Sequence, residues 1–366
     1  MTRLEEVQAK LEMTRGFLRE RGLGAVALST RANFAWLTAG GMNHVGLGSA
    51  TGVAALVVTA DEQYLLTSNI EAGRIEDEET GELPFEIRYM QWDEEDPTEM
   101  LGTVASGRIG ADAGYGGADV DISGDFARLR WQLMAPEIER YRQVGRIASE
   151  AIAATCREIE PGMAEHEIAA ALMGRAFAAG CQPVVALIAA DERAYRYRHP
   201  IPTDRRLHKH VMVVLGCSKW GLGISCTRMV HFARPDDDLV DRHAACCHVD
   251  ACLNLETRPG AAVSEVFGRA VAAYARRGYP DEWTLHHQGG ATGYAARDYK
   301  GTIECPETVL ERQAFAWNPS IAGTKSEDTI IAAAEGPEFL STTAEWPTIE
   351  VEYEGTTLQR PDILVR

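Results

Sequence analysis

No stretch of the 366-residue sequence approaches the length of an apolar transmembrane helix, so a chain that crosses a bilayer on helices is not expected. It contains no internal repeat of fixed period and no low-complexity tract, which sets aside solenoids, propellers and long disordered linkers. The eight cysteines are scattered without paired spacing; they do not read as a disulfide framework and fit reduced thiols in the cytoplasm. Positive charge is scarce: 36 Lys and Arg stand against 54 Asp and Glu, a formal net charge of −18. An acidic surface of that kind repels phosphate backbones and anionic lipid, which argues against nucleic acid or a membrane as partner. The N-terminus, MTRLEEVQAKLEMTRGFLRERGLGAVAL, has no signal-peptide core and reads as a charged amphipathic helix running into a strand. Acid is also missing from VMVVLGCSKWGLGISCTRM (211–229), two apolar strands joined by a turn at Lys219-Trp220-Gly221.

What is present is enough apolar material, 45% of residues, for a sizeable core, in a length that suits two domains. Short β-rich runs, GAVALST, GVAALVVT, EQYLLTS and SGRIGADA, alternate with helical patterns in the first third. They predict an α/β domain with a mostly parallel or mixed sheet over 1–135. Pro136 is placed to start a new helix, with Glu137 and Glu139 in its first turn. Helices follow at PEIERYRQVGRIASEAIAATCREIEPG and AEHEIAAALMGRAFAAGC, then strands at PVVALIAA, HVMVVLGC and GISCTRMVHF. Two more helices, DDLVDRHAACCHVDACLNLETRPG and VSEVFGRAVAAYARRGYP, precede the strands AFAWNPSI, DTIIAAA, EFLSTT and TIEVEY. This order predicts an α+β domain over 136–366.

Four pieces of the second domain together resemble the creatinase/aminopeptidase P family: the histidine of YRHPIPTD, the strand pair with its LG and TR, the ETRPGAAVSEV helix break, and KSEDTII. The resemblance covers essentially the whole chain. It implies a small N-terminal creatinase-type α/β domain followed by a C-terminal α+β domain of the pita-bread fold, in a homodimer whose N-terminal domain caps the partner's site. Metal-dependent members ligate two cations with two aspartates, a histidine and two glutamates. Carried over residue by residue, those ligands fall on Val214, Ser225, about Gly290, Asn318 and Glu327. One carboxylate cannot hold two hard cations, so no metal and no cofactor are expected; His286 or His287 could partly replace the missing histidine.

Within the family, creatinase works without metal. By that likeness His199 is the expected general acid/base and Glu327 the carboxylate that binds a cationic substrate group. Creatinase's second substrate-binding glutamate falls on Thr227, and its anchors from the N-terminal domain fall in GSATGV, where only small residues stand; creatine itself is therefore not expected. The sequence reading is metal-independent, non-peptidase hydrolysis of a C–N bond in a small polar amidine, guanidino or amide compound. A lyase or isomerase step in the same site, or a ligand-binding protein without activity, stand as alternatives, and an Xaa-Pro metallopeptidase comes last.

Expected substrate-binding residues are Asn318, a neutral amide with donors and an acceptor; His286, His287 and Gln288 of LHHQGG, read as a loop; Arg297, fit for a carboxylate; Lys325; and Arg198. Each has a plainer reading. His199 is also a loop histidine, Asn318 a turn residue before Pro319, and Lys325, Glu327 and Asp328 an exposed salt-bridge set of little worth. Arg228 of the TR pair is read as structural. HAACCHVDAC puts His243 and Cys247, and His248 and Cys252, at zinc-compatible spacing, but cysteines on a helix of this domain read as small core residues. GLGSATG precedes a strand and so lacks the context of a dinucleotide loop.

Overall fold

Thr2 caps the first helix, Arg3–Arg21, through a reciprocal pair with Glu5, and Gly22 ends it in the left-handed conformation at φ 61°. A computed structural model describes residues 1–94, 96–343 and 345–366. The chain forms two units: residues 1–131 with 135–137 and 220–222, and residues 132–134 with 138–219 and 223–366.

The first unit is built on six strands, β1 (Ala25–Thr30), β2 (Thr51–Thr59), β3 (Gln63–Ser68), β4 (Glu86–Met90), β5 (Ile109–Ala111) and β6 (Val120–Asp121). Their order is β4-β3-β2-β1-β5-β6, with β1–β2 and β2–β3 antiparallel and the other three pairs parallel. The sheet is mixed, as its short runs and intervening helices predict. Its central strands are apolar on both faces: Ala25 to Leu28 and Ala55 to Val58 are buried throughout. In the same unit Lys10 is fully buried and donates to Glu6 at 2.6 Å and Glu137 at 2.7 Å.

The second unit carries β7 (Gln182–Ala190), β8 (His210–Lys219), β9 (Leu222–His231), β10 (Gly289–Thr292), β11 (Tyr299–Lys300), β12 (Ala314–Trp317), β13 (Ser320–Ile321), β14 (Thr324–Lys325), β15 (Asp328–Ile331), β16 (Glu338–Phe339), β17 (Thr348–Tyr353), β18 (Thr356–Pro361) and β19 (Leu364–Val365). One sheet runs β19-β9-β8-β7 and another β11-β10-β12-β15-β16, with β13–β14 and β17–β18 as separate ribbons. The helices Ala135–Glu158, Glu165–Ala178, Asp237–Glu256 and Val263–Arg276 fall where the sequence puts them. Asp236 caps the third by accepting from Leu239 N–H.

Helices Asp237–Glu256 and Val263–Arg276 pack with Phe315, Trp317 and Ile330 of the five-stranded sheet in one core. The HAACCHVDAC segment lies in that contact. All eight cysteines are buried and unpaired. Cys246 donates to Pro319 O at 3.2 Å and Cys252 to Tyr353 Oη at 3.3 Å, while His243 Nδ1 meets Thr324 Oγ1 at 2.6 Å. These are core contacts, as read from the sequence.

The main local surprise is β10. Gly289 and Gly290, the glycine pair of the LHHQGG segment read as a loop, open a buried strand, Gly289–Thr292, paired with β12 on one side and β11 on the other. Gly289 and Gly290 have φ of +98° and +146°, a region that side-chain-bearing residues avoid. A β-carbon on Gly289 would come within 2.2 Å of Ala316 O. Sequence composition marks such a run as breaker-rich; only the neighbouring strands make it a strand.

Candidate active site

The five positions to which the resemblance assigns metal ligands can be tested on the structure. Val214 is buried in an apolar cluster with Ala189, Met212, Met229 and Leu239. Ser225 donates its N–H to Thr329 Oγ1 at 2.9 Å. A β-carbon on Gly290 would lie 2.3 Å from Tyr299 O and 2.7 Å from Gly301 N, so the backbone there has no room for an imidazole. Asn318 is buried, with Oδ1 unpartnered among the described residues. Glu327 is 3% exposed and already engaged: Lys325 Nζ lies 2.8 Å from Oε2 and Thr227 Oγ1 donates to the same oxygen at 2.6 Å. One carboxylate with a resident ammonium, one amide and one hydroxyl do not fit a pair of divalent cations.

The pairing of Glu327 corrects two expectations. The Lys325, Glu327 and Asp328 set is not a surface one, since all three are buried. The backbone alternation of the strand sends them to different partners. Glu327 takes Lys325, whereas Asp328 accepts from Arg228 at 3.0 Å and Arg360 at 2.8 Å. Arg228 is structural, as read. The cation beside Glu327 comes from the chain itself, so the carboxylate does not stand free for a cationic substrate group.

Three imidazoles converge instead. His199 lies in the loop before Pro200, and His286 and His287 follow the short helical turn Glu282–Leu285. Their ring centroids are 4.8 Å (199–286), 5.4 Å (199–287) and 4.5 Å (286–287) apart. Nε2 of His286 is 3.1 Å from Nε2 of His199. Arg198 pairs with Glu282, and Glu282 in turn accepts from Ala322 N–H at 3.4 Å, which ties the His199 loop to the turn that carries His286. Gln288 is buried between Tyr274 Oη, which donates to its Oε1 at 2.7 Å, and the carbonyls of Trp283 (3.2 Å) and His286 (2.5 Å). Its amide fixes the backbone at His286, and Arg198 fixes the facing loop; both are placed to orient the imidazoles, with their polar groups already occupied.

Electrostatics keep the cluster neutral. Burial pushes His286 down to about 2, aided by the Lys325 ammonium. Burial and the Arg297 guanidinium push His287 down to about 4. His199 is lowered too, by partial burial and then by Lys325. All three imidazoles are therefore uncharged near neutral pH. Arg297 donates from Nη1 to Gly290 O at 2.7 Å and Ala316 O at 2.9 Å, leaving Nε and Nη2 without a partner among the described residues.

Of the site residues expected from sequence, the structure gathers His199, His286 and His287, places the Lys325 ammonium and Arg297 guanidinium close enough to depress them, and puts Asn318 N–H on Gln288 O at 3.0 Å. The residues missed were the positioning ones, Glu282 and Tyr274. An isolated glutamate and a helix tyrosine carry no local signal for such a role.

The family described as Metallopeptidase family M24 matches residues 139–334. An Xaa-Pro dipeptidase of Pyrococcus horikoshii is 24% identical over 216 residues, 57% of this chain and 61% of that protein. A second Xaa-Pro dipeptidase, from Pyrococcus furiosus, is 23% identical over 57% of the chain and 62% of its own length. The chain thus spans about six-tenths of the length of these curated relatives. The crystal structure of the prolidase from Pyrococcus horikoshii superposes with a TM-score of 0.79 at 17% identity, over 92% of this chain and 98% of that one. At that identity the likeness shows the fold, the pita-bread α+β architecture read from the sequence. Among the described residues no helix is long and apolar enough to cross a membrane.

The relatives also overturn the reaction read from the sequence. Metal-independent, non-peptidase C–N hydrolysis was ranked above peptide cleavage, yet the curated relatives are Xaa-Pro dipeptidases. Two physical points account for the difference. Lys325 already holds Glu327, so no free carboxylate awaits a substrate cation. Polarising an amide and a water does not require carboxylates, so their loss does not exclude peptide cleavage.

Proposed function

The chain belongs to metallopeptidase family M24, and on that premise we propose that it hydrolyses the peptide bond of short peptides carrying a free C-terminal carboxylate, dipeptides of the Xaa-Pro kind first among them. The observation that carries the reading is one of placement: the matched span, residues 139–334, contains every member of the cluster, from His199 through His286, His287 and Arg297 to Asn318, Lys325 and Glu327. The curated relatives named for Xaa-Pro cleavage support the substrate class. Arg297 supports the carboxylate. Its Nη1 is anchored on two backbone carbonyls, which fixes the plane of the guanidinium and offers its remaining N–H groups to a bidentate acceptor.

The test is release of free amino acid from a panel of dipeptides, with divalent cations supplied and each substrate also offered as its C-terminal amide. Turnover of free-carboxylate dipeptides and a large loss on amidation are expected; no release from any dipeptide sinks the reading. Replacing Arg297 with alanine removes a charge-assisted contact worth about 1.5–3 kcal/mol, so KM should rise roughly 10- to 100-fold with a smaller change in kcat. Equal KM values for the parent and R297A on the free dipeptide would remove Arg297 from substrate binding.

A further inference from the structure

We propose that His199, His286 and His287 together hold one divalent transition-metal ion of the zinc type, a site built on residues other than the carboxylate positions of the family. This departs from the absence of metal expected from the sequence. The potential ligand nitrogens of the three side chains all lie within 4.8 Å of one another, and among the described residues this is the only group of three or more His, Cys, Asp or Glu so disposed.

The geometry suits a small ion. Zinc–imidazole bonds of about 2.0–2.1 Å put two tetrahedral ligand nitrogens roughly 3.4 Å apart. The pair on His199 and His286 stands at 3.1 Å, and bringing the third nitrogen in from the 4.8 Å limit requires a shift of up to about 1.4 Å. Two of the three side chains are held from behind. Gln288 fixes the His286 backbone, and the Arg198–Glu282 pair fixes the His199 loop. His287 Nδ1 is buried and has no hydrogen-bond partner among the described residues, which is costly unless a ligand satisfies it.

The charges around the cluster oppose a cation only in part. The Lys325 ammonium is paired with Glu327 at 2.8 Å, while the Arg297 guanidinium beside His287 remains as an opposing charge. With nitrogen donors and no free carboxylate, the site should follow imidazole preferences, taking Zn²⁺, Cu²⁺, Ni²⁺ and Co²⁺ and passing over Mg²⁺ and Ca²⁺. Three histidines leave a coordination position open, as in catalytic zinc sites.

The experiment is a titration of the chelator-treated full chain with Co²⁺, followed by visible absorption, with Zn²⁺ measured by competition. One equivalent of Co²⁺ with the bands of a nitrogen-ligated four- or five-coordinate ion is expected, with no saturable binding of Mg²⁺. His199→Ala, on an exposed loop residue, and His287→Ala should each weaken binding about 100-fold while the unfolding midpoint stays near the parent's. The proposal is overturned if Co²⁺ does not bind stoichiometrically, or if the double variant binds it as tightly as the parent, which would place the ion elsewhere. Binding is read without turnover, so the outcome is separate from the peptide-cleavage reading: a loaded protein that cleaves no dipeptide sinks that reading alone, and a metal-free protein that cleaves dipeptides and binds no Co²⁺ sinks this one alone.

Discussion

Replacing Arg360 with leucine should lower the unfolding free energy by about 3–5 kcal/mol, the cost of leaving buried carboxylates without their cation. Arg360 is fully buried on β18, with Nε 2.5 Å from Asp250 and Nη2 2.8 Å from Asp328. Asp250 sits on the helix Asp237–Glu256 and also accepts from Ser326 Oγ at 2.6 Å. Asp328 begins β15 and shares its other oxygen between Arg228 at 3.0 Å and Ser341 Oγ at 2.7 Å. Two guanidinium groups and two carboxylates thus join a helix, two sheets and a ribbon with hydrogen bonds that cannot be replaced by water. With Arg360 gone, Asp250 keeps Ser326 and Asn254 as its side-chain donors among the described residues. An internal control is the exposed set of Arg142 with Glu338 and Glu139, where an equivalent leucine should cost no more than about 1 kcal/mol. Urea unfolding of the two variants decides it: equal losses would show that the buried network contributes no more than a surface pair.

Stability should also fall as pH drops from 6.5 to about 4, by about 2–3 kcal/mol at pH 4.5 from His210 alone. His210 is 4% exposed; its Nε2 donates to Gly323 O at 2.8 Å and its Nδ1 has no partner among the described residues. Burial pushes it down to about 4, against the backbone acceptor at Gly323 and with a further push from His231, whose ring lies 5.5 Å away. An unfolded histidine takes its proton near pH 6.5. The unfolded chain therefore binds a proton that the folded chain refuses until about pH 4. The stabilisation is complete above 6.5, is lost between 6.5 and 4, and does not change further below that. His287, at about 4, and His286, at about 2, shift in the same direction and add to the acid sensitivity. Replacing His210 with glutamine, which retains a donor for Gly323 O, should flatten the difference between urea midpoints at pH 7.0 and 4.5. An unchanged difference would assign the acid sensitivity to other groups.

Much of the fold can be read in the sequence because its signals are local. Thr2 with Glu5, and Asp236 before an acidic turn, mark helix starts; the alternating or wholly apolar runs at 25–30, 51–59 and 210–231 are strands; and the cysteine-rich helix is buried as its composition suggests. The order of these elements, with YRHP, LG, TR and KSEDTII in sequence, was enough for the family. The tertiary structure alone decided the rest, through the packing of segments around each residue. The GGAT run became a strand because β11 and β12 flank a backbone that only glycine can adopt. Lys325 neutralises Glu327 because burial excludes water from both, a fact that the spacing of two charges does not reveal. His199 meets His286 across 87 residues, since the ion pair between its neighbour Arg198 and Glu282 joins the two loops and the Gln288 amide holds the backbone at His286. Sequence windows report what a segment prefers; which charges are desolvated and which side chains converge is set only when distant segments pack.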